Sequence, residues 1–413
     1  MKDALAMTKA EADMLTAAVV AALGVSSNAR TMNEALVFEL TVLREQPASA
    51  KVELRELLSA VQSIPALEIF AHARQCALGH EERVDPRFLA GWLISRGQIV
   101  GAEQSVADLG RYLAADSIEI REILAVDGFD VFGSVELGAY ELMGWNQVPM
   151  TDSKWRVLVS TFFRGGTPRA ALVRRHKIEP VHLYPWRGST DSGARVPIEP
   201  ALDVLRCVTA TTGAGIRRLH YWFEPEEWAP WAVYRSSFGF DSNNMDSPAS
   251  LDESQILQLR SCVSHFMALE EGNRSRLRVP LDRLNGSYLA RMRSVDVAIE
   301  LGIALESLYA PSKLSEGIGY AVRTRAARFL GGSIEERNAV VKRIKDVYDL
   351  RSRAVHAGRF DAGERSKKWS DEANVRNALE EGQGLVGKSL VKIIQEGEPN
   401  WEDFDIGTEV GHS

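Results

Sequence analysis

A single long helix near the C-terminus limits the folds open to this chain. The capping box Ser333-x-x-Glu336 begins it and Gly358 is a natural stop, which predicts a helix over Ile334–Gly358. Such a helix is stabilised mainly by packing its apolar side against neighbours. The sequence supplies three further helical patterns: Leu281–Tyr309, which Gly286 could bend, Ile318–Leu330 and Glu372–Gln395. The C-terminal region is therefore predicted to be a four-helix bundle.

The last turns of this helix carry the candidate catalytic residues. Because an α-helix turns about 100° per residue, Tyr348, Ser352 and His356 share one stripe, with Arg351 beside it. His356 falls in the final turn, where the helix dipole favours the protonated imidazole. Arginine neutralises phosphate charge and histidine can move a proton, so this set of side chains suits phosphodiester chemistry.

Three segments of this region resemble the Apea-like HEPN family, whose members are small helical bundles. Arg351, four residues and then His356 match the R-x(4–6)-H motif of the family. The order and spacing of the segments match as well: Val295–Ala310, Arg323–Leu330 and Val347–Gly358. The resemblance covers roughly residues 281–406. Many members have Asn, Asp or His after the motif arginine, where this chain has Ser352.

The resemblance implies a metal-independent endoribonuclease that uses no cofactor and forms a homodimer through the bundle, with two motif helices facing each other across a cleft. In that activity a base activates the ribose 2′-OH, Arg351 stabilises charge at phosphorus, and His356 handles protons, with Ser352 beside them. The RNA product would end in a 2′,3′-cyclic phosphate. The family context implies prokaryotic defence against phage, or a toxin.

Two alternatives to the ribonuclease stay open at the level of sequence. One is a non-catalytic HEPN module that binds RNA, a nucleotide or a protein partner. The other is a purely structural dimerisation bundle in which Arg351 and His356 hold the interface.

Glu306 is predicted to support the motif arginine. It lies in an apolar stretch of its helix, and a carboxylate in such surroundings needs a partner. Arg351 and Arg325 are the two candidates, because a buried carboxylate would fix an arginine's fork. Tyr348 is a third supporting residue. The alternative is a solvent-facing carboxylate paired one turn along its own helix.

The charge distribution favours a polyanion near the motif. The whole chain carries a net charge of -7, whereas residues 281–360 contain 14 Lys+Arg against 9 Asp+Glu, which is +5 and leaves -12 elsewhere. This asymmetry places the field that attracts RNA on the bundle. Solvated Arg-rich faces would give the same count. Within Arg351–Gly358 only His356 could ligate a metal, so no metal site is predicted.

The chain divides into four predicted regions. Residues 1–105 are expected to be helical, 106–245 to form a mixed α/β domain, 250–397 the HEPN-like bundle, and 398–413 an acidic tail. Capping boxes at Thr8-x-x-Glu11 and Ser250-x-x-Glu253 would open helices. Helical spacing also occurs in the first region at Leu36–Leu43, Val52–Ile64 and Leu67–Leu78. By analogy with the family that the C-terminal region resembles, the first 250 residues would sense a phage or regulatory protein trigger.

Six of the nine tryptophans fall in the middle region: Trp145, Trp155, Trp186, Trp222, Trp228 and Trp231. Four basic residues are interleaved with them: Arg169, Arg174, Arg175 and Lys177. The set could grip single-stranded nucleic acid or form the core of a small domain. We expect the core.

The sequence predicts a cytoplasmic protein without a membrane segment. No apolar run reaches about 18 residues, and mixed charges flank the first apolar stretch, which is wrong for a signal peptide. The three cysteines are odd in number and far apart, so no disulfide framework is expected.

Overall fold

The computed structural model describes residues 6–25, 52–71, 74–77, 80–149, 151, 154, 157–158, 167–183, 197–231, 234–237, 249–289, 293–310, 317–360 and 368–406. Within these residues the fold is mainly α-helical with one mixed α/β middle region, as predicted. None of the described helices is both long and apolar enough to cross a membrane.

The N-terminal part packs four helices: α1 (Lys9–Val25), α2 (Val52–Ser63), α3 (Pro86–Val100) and α4 (Ala102–Ala114). The capping box that opens α1 is confirmed, because Glu11 accepts from the Thr8 backbone at 2.6 Å and the Thr8 hydroxyl accepts from the Glu11 backbone at 3.3 Å. Helix α4 runs across the boundary predicted at residue 105. The pattern at 36–43 lies outside the described residues.

The α-helix predicted at Leu67–Leu78 is wrong, because a short 3-10 helix covers Pro65–Phe70 and a strand follows it. This strand, β1 (Arg74–Ala77), pairs with β2 (His80–Arg83) and β8 (Val181–Leu183). Gln75 is buried in this strand and donates to the Pro230 backbone oxygen at 2.8 Å. Contacts distant in sequence therefore override the local helical spacing.

The middle region is built on an antiparallel sheet whose strands follow the order β10-β9-β3-β7-β6-β5. Its strands are β3 (Ile118–Asp127), β5 (Ser134–Leu137), β6 (Tyr140–Gly144), β7 (Ala170–Ile178), β9 (Arg217–Pro225) and β10 (Tyr234–Ser237). Alternate residues of β3 face opposite sides: Leu124 joins the main core, and Ile123 packs with Trp145 and Trp222 on the other face. Helix α5 (Glu199–Thr212) follows β8 and contacts the C-terminal helices.

Six helices form the C-terminal part: α6 (Glu253–Ala268), α7 (Glu271–Tyr288), α8 (Ser294–Tyr309), α9 (Ile318–Leu330), α10 (Ile334–Ala357) and α11 (Glu372–Glu396). The bounds of α9 agree with the prediction, and those of α10 and α11 agree within one residue. The helix predicted over Leu281–Tyr309 is two helices, since α7 ends at Tyr288. Gly286 weakens its last turn, and Leu289 takes extended backbone.

The cap of α6 differs from the predicted one. Asp252 and Gln255 form the capping box, not Ser250 and Glu253. Ser250 is unavailable because it lies in β11 (Ala249–Ser250), which pairs in parallel with β4 (Phe129–Asp130).

The acidic tail is tied back to the bundle by a short helix, α12 (Trp401–Ile406). The Trp401 ring is buried 5.3 Å from the ring of Tyr309 and 5.8 Å from that of Phe329. Residues 407–413 lie outside the described part of the chain.

Candidate functional site

Helix α10 is formed and ended as its sequence predicts. Glu336 accepts from the Ser333 backbone at 2.6 Å, and the Ser333 hydroxyl accepts from the Glu336 backbone at 3.3 Å. At the other end Gly358 adopts a φ of 65°, and its N–H donates to the Ala354 backbone oxygen at 3.1 Å. The candidate site lies on the last three turns before this glycine.

Arg351 crosses the neighbouring helix α8 at a glycine. A Cβ at Gly302 would lie only 2.7 Å from Arg351 Cγ, so the arginine stem occupies the space that any larger residue would fill. The guanidinium then reaches Glu306 of the same helix, with Nη2 3.5 Å from Oε1. Arg351 Nε is enclosed and makes no hydrogen bond within the described residues.

The pair between Glu306 and Arg351 exists, but it is not buried as predicted. The side chains are 29% and 35% exposed, respectively. Glu306 lies at the edge of the apolar stripe of α8, where Ile303 is half-buried and Ser307 is exposed. Water therefore reaches the pair and screens it, so the pair positions Arg351 more than it stabilises the fold.

Tyr348 lies between these charges, one turn before Arg351. Its hydroxyl oxygen is enclosed and lies near the Glu306 carboxylate. Burial raises the pKa of the Tyr348 phenol, Glu306 raises it further, and Arg351 opposes the shift. The phenol is therefore neutral near pH 7 and keeps a proton to donate.

Ser352 and His356 are exposed on the two final turns of α10. Neither side chain hydrogen-bonds or forms an ion pair with another described residue. The imidazole, the hydroxyl and the guanidinium of Arg351 are thus presented on adjacent turns of one helix end.

Arg325 does not join this site. Its side chain is buried, donates to the Tyr309 backbone oxygen at 2.7 Å, and pairs with Asp405 of α12 at 2.5 Å. Glu306 is therefore left to Arg351. The structure assigns Arg325 to holding the tail helix, because a buried guanidinium needs partners and the tail supplies them.

Two residues of the site escaped the sequence reasoning. Gly302 leaves room for the side-chain stem of Arg351. Arg323 of α9 lies close enough to Tyr348 that its positive charge acts to lower the pKa of the phenol. Arg323 begins the segment Arg323–Leu330 quoted in the sequence analysis, but its neighbours on other helices could not be inferred from spacing. With Arg351, Arg323 and Glu306, the polar surface carries one net positive charge.

The chemistry available at this surface is that of arginine, histidine and the hydroxyl of Ser352. Among the described residues no group of three or more His, Cys, Asp or Glu could hold a metal ion. Guanidinium groups bind phosphate oxygens, and the exposed Ser352 hydroxyl can donate to them.

The tryptophans of the middle region are mostly core residues where the structure describes them. Trp145, Trp222 and Trp231 are buried, and Trp228 is half-buried beneath Arg111, whose guanidinium carbon lies 3.8 Å from the ring centroid. Trp155 and Trp186 lie outside the described side chains. The core interpretation therefore holds for the four described rings.

Comparison of the chain with family models, with curated proteins and with solved structures gave no match.

Proposed function

We propose that this chain is a HEPN-type endoribonuclease that cleaves RNA without a metal ion. The proposal rests on one observation: Arg351 is seated over Gly302 and directed by Glu306, beside the exposed Ser352 and His356 at the end of one helix. The family resemblance of the same segment supports it. The N-terminal half would sense a phage or regulatory protein, and the activity would serve defence or act as a toxin in the cytoplasm.

The reaction uses a nucleophile that RNA itself carries. A base removes the proton of the ribose 2′-OH, the 2′-oxygen bonds to phosphorus, and the bond to the 5′-oxygen breaks as that oxygen receives a proton. Arg351 stabilises the charge that develops on the phosphoryl oxygens. His356 transfers a proton, and Ser352 binds a phosphate oxygen.

A homodimer through the bundle would complete this set. One chain presents one imidazole, while the reaction removes one proton and delivers another. Two motif helices related by a two-fold axis would present two arginines and two histidines across one cleft.

A non-catalytic module that binds RNA, a nucleotide or a protein is the second candidate. It is favoured by the pairing of Arg351 with Glu306, which offsets charge the reaction would use, and by Ser352, which cannot act as a base.

The test is cleavage of purified cellular RNA by the wild-type chain and by Arg351→Ala and His356→Ala. Arg343→Ala and His265→Ala are matched controls, since both side chains are solvent-accessible and lie away from the motif. Arg343, about two turns before Arg351 on α10, pairs with Glu381 at 3.2 Å, and His265 on α6 bonds the Ser261 backbone at 2.8 Å. We expect wild type and controls to cut and the two motif variants to lose cutting, with all melting temperatures alike.

Equal cleavage by wild type and both motif variants would overturn the proposal. RNA binding without cleavage, weakened by Arg351→Ala, would favour the non-catalytic module instead.

A further inference from the structure

Tyr320, in the first turn of α9, is an aromatic residue whose exposure the fold does not explain. Its side chain is 70% exposed. Among the described residues it makes no ring contact and no hydrogen bond. An aromatic ring exposed to water lacks the favourable free energy that its burial would give, so we regard this ring as a candidate binding surface.

The position of α9 places this ring beside the candidate site. Helices α9 and α10 run antiparallel because only Gly331–Ser333 separates them, so the start of α9 lies along the second half of α10. The contact between them is direct, since a Cβ on Gly319 would lie 3.7 Å from Cδ1 of the Tyr348 ring. Tyr320 follows Gly319 and therefore stands at the rim of the surface that carries Tyr348 and Arg351.

Positive charge accompanies the ring. Arg323 is three residues after Tyr320, so the two side chains are neighbours on one helix face. It is half-buried, has no ion pair within the described residues, and acts electrostatically on Tyr348. The first turn of α9 carries no acidic residue.

We infer that Tyr320 and Arg323 form a subsite for single-stranded RNA, in which the tyrosine ring stacks on the base next to the cleaved phosphate and Arg323 holds the adjoining phosphate. An aromatic face with a nearby guanidinium is the combination that binds single strands without sequence preference. A paired base already stacked in a duplex has no free face to offer. This inference rests on the proposed function and adds the substrate class to it.

The test measures binding of a short fluorescent single-stranded RNA by anisotropy, with His356→Ala in every protein so that the RNA stays intact. Tyr320→Ala should weaken binding by about 10-fold, the loss expected for one stacked base. Tyr320→Phe should restore it, while Tyr320→Leu, which keeps apolar bulk and tests folding, should not. Arg323→Ala should lower affinity and reduce the salt slope by about one.

Phe132→Ala is the matched control, because Phe132 is also an exposed aromatic residue, at 84%, and lies in the middle region. It should bind like the parent, and a duplex RNA should bind equally to the parent and to Tyr320→Ala. Equal single-strand affinities of Tyr320→Ala and the parent would overturn the subsite. A shift from dimer to monomer by light scattering in Tyr320→Ala would also overturn it, by making the ring a contact between two copies.

Failure of the subsite can be distinguished from failure of the proposed function. A His356-intact enzyme that cuts RNA equally well with and without Tyr320 refutes only the subsite. A parent chain that neither binds nor cuts RNA refutes both.

Discussion

The position of Arg351 depends on a glycine, Gly302, in the neighbouring helix α8. The stem of Arg351 passes over Gly302, where a Cβ would approach Cγ to 2.7 Å. Local sequence shows this glycine only as a weak point in an apolar helix. Its role in placing Arg351 can be recognised only once the facing helix α10 is known.

Gly302→Ala should therefore act on activity more than on the fold. The added methyl group would displace Arg351, and we expect RNA cleavage to fall by about 10- to 100-fold, as misplaced catalytic groups do. Cleavage of a labelled RNA measures this. The control is Gly384→Ala on α11, where an added Cβ meets nothing within 4 Å and alanine favours the helix by about 0.5–1 kcal/mol. Equal activity of Gly302→Ala and wild type would show that Arg351 tolerates displacement or is not needed.

Glu306→Gln should leave the fold almost unchanged. The partner residues are 29% and 35% exposed, so the pair contributes no more than about 1 kcal/mol, well below the cost of breaking a buried pair. Urea unfolding measures the difference. A loss of several kcal/mol would mean that the pair is buried in solution, as the sequence first suggested.

The sequence narrowed the partner of Glu306 to two arginines and predicted a buried pair, and the burial is wrong. The apolar residues around Glu306 in the chain indicated burial, and Arg351 was one of two arginines offered. Which arginine pairs depends on the tail, because Asp405 engages Arg325 and removes it from the choice. A helix that is apolar in sequence can still place one residue at the edge of the bundle.

Elements with local signals were predictable, and elements that depend on distant partners were not. Helix α10 has a capping box and a terminal glycine, and its bounds agree with the prediction within one residue. Strand β1 has no such signal, and its two partner strands decide its state. The break between α7 and α8 was predicted only as a bend near Gly286, because apolar spacing continues across it.

Helix α12 illustrates an element held by its contacts. Asp405→Ala should destabilise the protein by about 1–2 kcal/mol, since Arg325 is buried and would keep only its bond to the Tyr309 backbone, whereas Asp405 is 44% exposed and water screens the pair. Thermal unfolding measures this. Glu380→Ala, an exposed carboxylate on α11, removes the same charge and should cost under about 0.5 kcal/mol. Equal melting temperatures of the two variants would mean that the tail is not docked.

At the scale of the whole molecule, helix α5 joins the middle region to the bundle. Asp203 of α5 is buried and accepts from Arg206 of its own helix at 2.7 Å and from Arg278 of α7 at 2.7 Å. A second close contact lies at Gly387 of α11, where a Cβ would be 3.1 Å from the Ala210 backbone oxygen. Sequence patterns assigned these helices to separate regions, and only the three-dimensional packing shows that they share one core.

Asp203→Ala should weaken this junction. It would leave two largely buried guanidinium groups short of a carboxylate, and we expect a loss of about 3 kcal/mol in denaturant unfolding. Asp282→Ala removes a carboxylate that also pairs with Arg206 but is 57% exposed, and should cost under about 1 kcal/mol. If Asp282→Ala were the more damaging change, Asp203 would not be the centre of the junction.

The central claim is that arginine and histidine cleave RNA without a metal ion, through the 2′-OH of the substrate. The most direct measurement incubates the protein in excess EDTA with one defined RNA and, separately, with its all-deoxy counterpart, and reads the 3′ ends by mass spectrometry. We predict RNA fragments that end in a 2′,3′-cyclic phosphate, intact DNA, and no fragments from Arg351→Ala or His356→Ala. Activity that is lost in EDTA and restored by Mg²⁺, or cutting of the DNA, would contradict this account.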